Sequence, residues 1–435
     1  MYIMKRIALF LCTGLFTYPV FAIDLLRDSD IEHAFAELSR PILQAAGLSP
    51  QRIKILLLKD KRPNAFIIDN KHIFVSSGLF LKTDKAEMFQ SIIAHEAAHI
   101  ANGHITRRKN YMSVARTASA FGIALALTTG AVSRNHELGL PLAIGASSSA
   151  RGVLLSHTRA EESAADQAAM RYLSRSNIDG AGMLDVLNLF IDQENLSALR
   201  QDPYLRTHPS SRDRKRALEA LIGAKKELST DRKDAYWHER ALGKLSAFIN
   251  RPEWTLKSAD KSKNPDVRHL RRAIALSRQG KVVSALDEIE KAQAQRPNDP
   301  YLQELKAELL MRNKRFEQSA KEYEKAVSMK PNNALALSGY GRALLADGQI
   351  SKALSVLNKA RDADFRNTRL MRDLALAYSK LGRNNMAALV TAERYALSGK
   401  IEDAKIHAQR ASKGLPIGSP AWQRAQDVLD VKMIK

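Results

Sequence analysis

The chain has 435 residues, more than one ordinary core accommodates, so about two or three folding units are expected. Its 45% hydrophobic and 26% charged residues exclude collagen-like and disordered classes. The formal net charge of +22 is spread along the whole chain with no basic stripe interleaved with aromatics, which argues against nucleic acid and favours an anionic surface such as acidic lipid headgroups.

Residues 1–22 read as a secretory leader. Lys5 and Arg6 form a basic start, Ile7 to Val20 an apolar run, and Val20-Phe21-Ala22 a small-residue cleavage point. Cleavage near Ile23 implies export to an oxidising compartment. The single cysteine, Cys12, lies inside that leader and follows Leu9-Phe10-Leu11, which lacks the small residues of a lipoprotein signal. The mature chain is therefore expected to form no disulfide and to be held by packing and metal.

Two β-branched and aromatic runs follow, Ile53 to Leu58 and Phe66 to Val75, the second broken by Asp69-Asn70; they are expected to be strands flanking a site. Thr83 or Asp84 is expected to cap the next helix, with Glu87 in capping-box position and Met88, Phe89, Ile92 and Ile93 on its apolar face. That helix carries His95-Glu96-Ala97-Ala98-His99. Residues four apart stand one turn above each other, so both imidazoles can close on one cation, while Glu96 on the adjoining stripe can reach a water without ligating the metal. A metzincin-type third histidine is excluded because Ile105 stands at its place; His104 misses that place by one and reads as structural.

Residues 113–155 comprise two apolar, small-residue-rich stretches around Arg134-Asn135-His136-Glu137, a helical hairpin too short in either half to span a membrane. It is expected to rest on a membrane surface or to shield the site. Thr158-Arg159-Ala160-Glu161 then opens a helix, and Glu162 and Asp166 follow one turn apart. Glu162 is the expected third metal ligand. Asp166 is expected to accept a hydrogen bond from the outer nitrogen of a ligand histidine and fix its tautomer. A solvated acidic helix start accounts for Glu161 but not for Asp166 among Ala164, Ala165, Ala168 and Ala169. Two histidines and one glutamate leave a fourth position for water, the set a catalytic zinc requires, so one zinc ion per chain is expected.

Beyond a helical linker at 226–264, the tail repeats itself. Gly280, Lys314, Gly348 and Gly382 recur every 34 residues, and Ala285, Ser319, Ala353 and Ala387 five further on. Ala292, Ala326 and Ala360 keep the same register, as do Pro297 and Pro331. A 34-residue period of small residues at helix crossings is the tetratricopeptide signature. The register breaks at Gly399-Lys400-Ile401, which marks an atypical C-terminal unit.

Several motifs together carry a family resemblance: His95 to His99, Thr158-Arg159 with Glu162 and Asp166, Asn64-Ala65-Phe66 ahead of Ile73-Phe74-Val75, Gly78-Leu79, and Thr207-His208-Pro209 with Arg214. The chain resembles the gluzincin peptidases related to the Ste-type prenyl-protein protease and the membrane protease HtpX. With its leader and repeat tail it is most similar to the BepA-type periplasmic zinc metalloproteases. The resemblance implies an α+β zincin-like metalloprotease domain at 23–225 and an all-α tetratricopeptide solenoid at 265–435. It implies that His95, His99 and Glu162 bind zinc, that Glu96 is the general base, and that Asn64, Ala65 and Phe66 form a strand edge receiving extended substrate. It also implies a catalytic or regulatory place for His208 over the metal, as a fourth ligand or a transition-state hydrogen-bond donor, with a core histidine as the plain alternative. The implied partners are unfolded outer-membrane proteins, with their insertion machinery docked on the repeats. A rival reading is a mostly latent protease acting as a chaperone or scaffold; a metal enzyme acting on a non-peptide bond is disfavoured by the strand edge. The sequence departs from the family at Ile67-Ile68-Asp69-Asn70-Lys71, where a Leu-Pro-Gly-Gly turn is common.

Overall fold

A computed structural model describes residues 24–106, 159–190, 202–208, 212–223 and 232–431. The expected leader and the expected hairpin at 113–155 lie outside these residues. The N-terminal half begins with strand β1 (Leu25–Leu26), helix α1 (Ser29–Ala45), and strands β2 (Lys54–Leu58), β3 (Ala65–Ile67) and β4 (His72–Ser76). They form one sheet in the order β1-β2-β4-β3, with β2 and β4 parallel and the outer pairs antiparallel. The run Phe66 to Val75 is therefore a hairpin. Asp69 makes its turn by accepting hydrogen bonds from the backbone N–H groups of Lys71 and His72 at 2.7 and 2.8 Å.

Alternation along the strands sends Ile55, Leu57, Ala65, Ile67, Ile73 and Val75 into the main core, and Leu56, Leu58 and Phe74 into a smaller cluster on the opposite face. Helices α2 (Ser77–Phe80) and α3 (Ala86–Ala101) follow β4. Helix α3 is buried along nearly its full length, which its Met88, Phe89, Ile92, Ile93 and Ala97 explain, and Phe35, Phe80 and Phe89 lock it to α1 with ring centroids 4.6–5.1 Å apart. Its start differs from the expectation: the helix begins at Ala86 with Lys85 at the cap position and no side-chain cap bond. Thr83 is spent elsewhere, donating to the Phe80 carbonyl and meeting His238 Nε2 at 2.9 Å.

Helices α4 (Arg159–Arg175), α5 (Ala181–Asn188), α6 (Pro203–Thr207) and α7 (Arg212–Gly223) complete the catalytic half. Helix α8 (Arg232–Ile249) joins both halves, because its Ala241 and Leu245 enter the core of the sheet domain and its Ala247 enters the first core of the solenoid. After α9 (Pro252–Ala259) come five helix pairs. They are α10 (Pro265–Arg278) with α11 (Val282–Gln295), and α12 (Pro300–Arg312) with α13 (Phe316–Met329). Next are α14 (Ala334–Ala346) with α15 (Ile350–Ala363), α16 (Thr368–Lys380) with α17 (Asn384–Leu397), and α18 (Ile401–Gly414) with α19 (Pro420–Leu429). The fold is thus α+β followed by an all-α repeat domain, as expected.

The 34-residue register has a backbone cause. Gly280, Lys314, Gly348 and Gly382 occupy the turn inside each pair at φ of +77°, +60°, +83° and +71°, the left-handed conformation that ends the first helix of the pair. Ala285, Ser319 and Ala353 are fully buried where the helices of a pair cross, and a larger side chain there would hold the two apart.

The two halves meet through buried charge. Arg240, fully buried on α8, places Nε 2.9 Å from Asp30 of α1 and pairs through Nη1 with Asp299 at the start of α12; it also donates to Tyr236 Oη at 2.7 Å. Lys244 reaches Asp28 at 2.9 Å, Ser29 donates to Glu304 of α12, and Arg27 pairs with Asp364 at 3.0 Å beyond α15. The start of α1 is therefore held by residues more than 200 positions away. Among the described residues no helix is long and apolar enough to cross a membrane.

Candidate metal centre

Helix α3 projects His95 and His99 from successive turns, and helix α4 packs against it with Glu162 facing them. His208, just past the end of α6, completes the group. One ligand atom from each of His95, His99, Glu162 and His208 lies within 4.8 Å of the others, and all four residues are buried. Nε2 of His95 lies 3.1 Å from Nε2 of His99, 3.3 Å from Glu162 Oε2 and 3.3 Å from His208 Nδ1. Glu162 Oε1 is 3.3 Å from His99 Nε2 and 3.1 Å from His208 Nδ1.

Four donors about 2.0–2.1 Å from one tetrahedral ion stand about 3.3 Å from each other, and the contacts of 3.1–3.3 Å, which reach Glu162 through both of its oxygens, approach that spacing. Imidazole lone pairs and a carboxylate facing each other away from water suit a divalent cation of borderline softness. The residues present therefore fit a metal.

Around this group sits a second layer. Asp166 Oδ1 lies 3.0 Å from His95 Nδ1, the nitrogen facing away from the ligand cluster. Arg214 of α7 donates through Nε and Nη2 to both Asp166 oxygens at 2.7 and 2.9 Å, and its Nη1 lies 2.7 Å from Glu162 Oε2. Burial raises the Asp166 carboxyl, but the bonds from His95 and Arg214 outweigh it and hold the pKa below the usual carboxylate range. Burial opposes a charge on His95; the nearby Glu162 and Asp166 reverse that and push it up to about 10 in the absence of a cation. His99 is pushed the other way, down from the usual imidazole value, by burial first and by the neighbouring imidazoles next. A cation takes the place of these protons and relieves the conflict.

Glu96 stands beside the ligand group, fully buried, with Oε1 3.3 Å from His208 Nε2. The same His208 nitrogen lies 3.3 Å from the carbonyl of Ala65 on β3. The N–H of Ser76 donates to Asn64 O, so the antiparallel alternation turns the Ala65 and Ile67 backbone toward the outer edge of the sheet. Phe66 stacks on Phe74 at 5.3 Å on the opposite face from the main core. Asn64, Ala65 and Phe66 thus line the sheet edge nearest the ligand group.

Sequence reasoning left three contributors without a role. Arg214 entered only as part of a motif, although it links Glu162 to Asp166. Tyr204, four residues before His208, packs its ring 4.9 Å from that imidazole, and its carbonyl accepts the His208 N–H at 2.8 Å. Burial, then the charge of Glu96, raises the Tyr204 phenol pKa and keeps it protonated. His104, read as structural, brings its Nδ1 within 2.7 Å of His99 Nδ1.

Comparisons with known proteins agree with this architecture. Residues 26–222 match the model of peptidase family M48, and residues 310–377 match a tetratricopeptide repeat model. The chain is 22% identical over 408 residues to the beta-barrel assembly-enhancing protease of Escherichia coli (strain K12), spanning 91% of this chain and 81% of that one. It is 24% identical over 373 residues to the protein of the same name from Yersinia pestis, spanning 83% and 75%. A solved tetratricopeptide protein with an unusual peptide-binding site, YrrB, covers 40% of this chain and 91% of its own with 16% identity and a TM-score of 0.32.

Proposed function

We propose that this chain, which carries a peptidase family M48 domain followed by tetratricopeptide repeats, is a periplasmic zinc endopeptidase that cleaves unfolded or mis-assembled proteins in outer-membrane protein quality control. The observation that carries the reading is the convergence of His95, His99, Glu162 and His208 donor atoms at 3.1–3.3 Å, with the Glu96 carboxylate beside them. Three imidazoles and one carboxylate favour zinc over harder cations, one ion per chain. The relatives' name, beta-barrel assembly-enhancing protease, supports the client class, and the leader read at residues 1–22 supports the periplasm.

Held by His95, His99 and Glu162, a zinc ion would polarise the scissile carbonyl and acidify the attacking water. The protein's own groups do the rest. Glu96 takes the proton from that water and returns it to the leaving amine. The edge strand that carries Asn64, Ala65 and Phe66 receives the substrate backbone in extended form through the outward-facing backbone of Ala65 and Ile67, so only unfolded segments fit. Asp166 and Arg214 keep His95 and Glu162 in place throughout. The repeat domain docks a protein partner, for which the insertion machinery of outer-membrane proteins is the candidate, and residues 113–155 supply a membrane-surface contact.

The test is metal analysis of the mature protein together with digestion of an unfolded β-barrel protein, with and without chelator. Glu96→Gln keeps the shape and removes the base, so it should lower turnover by about 10²–10⁴-fold. Wild-type cleavage rates in that variant, or cleavage that survives full metal removal, overturn the reading. A second reading, a mostly latent protease working as a chaperone or scaffold, is favoured by one observation: His208 Nδ1 stands where the fourth ligand of a closed site would be. It predicts that Glu96→Gln preserves the cellular function, whereas the protease reading predicts its loss.

A further inference from the structure

An imidazole that binds a cation through Nε2 carries its hydrogen on Nδ1, and in a buried site that hydrogen needs an acceptor. For His95 the acceptor is Asp166, 3.0 Å away. For His99 the ring facing Nδ1 at 2.7 Å, among the described residues, is that of His104, only 2% exposed. Two ring nitrogens that close cannot both bear hydrogen, so one donates and the other accepts. When His99 ligates, its Nδ1–H is the donor, and His104 must present a bare Nδ1 and keep its own hydrogen on Nε2.

The backbone is arranged to bring His104 there. On a continued helix, position 104 would lie about 140° around the axis from position 99, on a different face. The helix instead stops at Ala101, and Gly103 adopts φ +70°, which folds the chain back beneath the last turn. A Cβ on Gly103 would meet nothing within 4 Å, so glycine is required there for its backbone conformation and not for space.

We propose that His104 is a positioning residue for the metal ligand His99, setting its tautomer and ring orientation with an uncharged acceptor as Asp166 does for His95 with a charged one. The inference rests on the metal-centre reading above. It also fits the charge of the centre: Glu96, Glu162 and Asp166 carry three negative charges, and Arg214 with a divalent cation carries three positive. A neutral acceptor at 104 supports the second histidine without disturbing that balance in a site shielded from water.

Zinc affinity of the full chain, measured by competition with a chromophoric chelator, tests this without relying on turnover. His104→Phe keeps a ring and removes the acceptor; His104→Asn offers its amide oxygen in place of Nδ1. His104→Phe should bind zinc about 10–100-fold more weakly, and His104→Asn should recover most of that loss. The ligand-field spectrum of the cobalt-substituted protein should shift in His104→Phe and return in His104→Asn. Equal weakening in both variants assigns His104 a packing role and overturns the proposal, as does unchanged affinity in both. Should His104→Phe fail to fold, Gly103→Ala takes its place: weakening of at least severalfold is expected, and unchanged affinity overturns the proposal. A wild-type chain that binds no zinc overturns the metal-centre reading itself, an outcome separate from any difference between variants.

Discussion

At the scale of single residues, the pair His95 and His99 and the pair Glu162 and Asp166 were legible because each is a four-residue spacing within one helix, and helix geometry alone puts both members on one face. His208 was legible only by resemblance, since nothing local marks a histidine after a short helix as facing a metal. The contact of His104 with His99 was not legible, because the direction of His104 depends on the left-handed Gly103 and not on helical periodicity. The position of His208 leads to a prediction. With Nδ1 at ligand distance from Glu162 and His95, its removal frees a coordination place, so His208→Ala at saturating zinc should cleave an unfolded substrate faster than wild type. A fall of about 10²-fold or more in an initial-rate assay would instead assign His208 to stabilising the transition state.

At the scale of elements, the strand runs at 53–58 and 66–75 and the repeat pairs followed from pattern, because alternation and a fixed period survive any detail of packing; that the second run folds on itself as β3 and β4 did not. The start of α3 did not follow, since Thr83 and Asp84 both satisfy the rules for a cap while tertiary partners decide the outcome; His238, 155 residues on, claims Thr83. The repeats contain one local conflict. Lys314 holds φ +60° at a position where the other three turns use glycine. The left-handed conformation costs a β-carbon-bearing residue about 1–2 kcal/mol, and glycine loses roughly 0.5–1 kcal/mol more entropy on ordering. Lys314→Gly should therefore stabilise the solenoid by about 0.5–1 kcal/mol, read as a higher midpoint in urea; a lower midpoint would show that the lysine side chain contributes more than its backbone costs.

At the scale of the whole molecule, the junction between the halves was not legible at all. Arg240, Lys244, Asp299 and Glu304 look like ordinary charges on solvated helix faces, and only the fold shows that Arg240 and Lys244 are buried against α1, with Asp299 and Glu304 half-buried at the same seam. Removing Arg240 leaves Asp299 without its cation and Asp30 with Lys244 alone at 3.4 Å, so Arg240→Ala should cost about 3 kcal/mol. The loss should fall on the seam, so that chemical unfolding followed by tryptophan fluorescence and circular dichroism separates into two transitions where the wild type shows one. A single unshifted transition would show that the seam is not held by this charge.

Glu304 adds a pH dependence. Burial raises its carboxyl to about 7, against the opposing hydrogen bond from Ser29 and the charge of Lys244. The folded chain then holds a proton that the unfolded chain has released between about pH 4.5 and 7, so this group's contribution to stability is full at the acid end and is lost as pH rises through 7. Glu304→Gln should remove that slope, narrowing the difference in melting temperature between pH 5.5 and 8 relative to wild type. The effect is on the order of 1 kcal/mol, because the carboxyl tip is only partly screened from water.

The grip on Arg27, Asp28 and Ser29 by residues as distant as Glu304 and Asp364 also bears on how the molecule is made. Because the chain is delivered from its N-terminus, the first helix of the peptidase half waits through more than 200 further residues for the partners that complete its charges. Until the third helix pair has emerged, the nascent peptidase has a loose N-terminal end, and its maturation is timed by the part of the chain that has no catalytic groups.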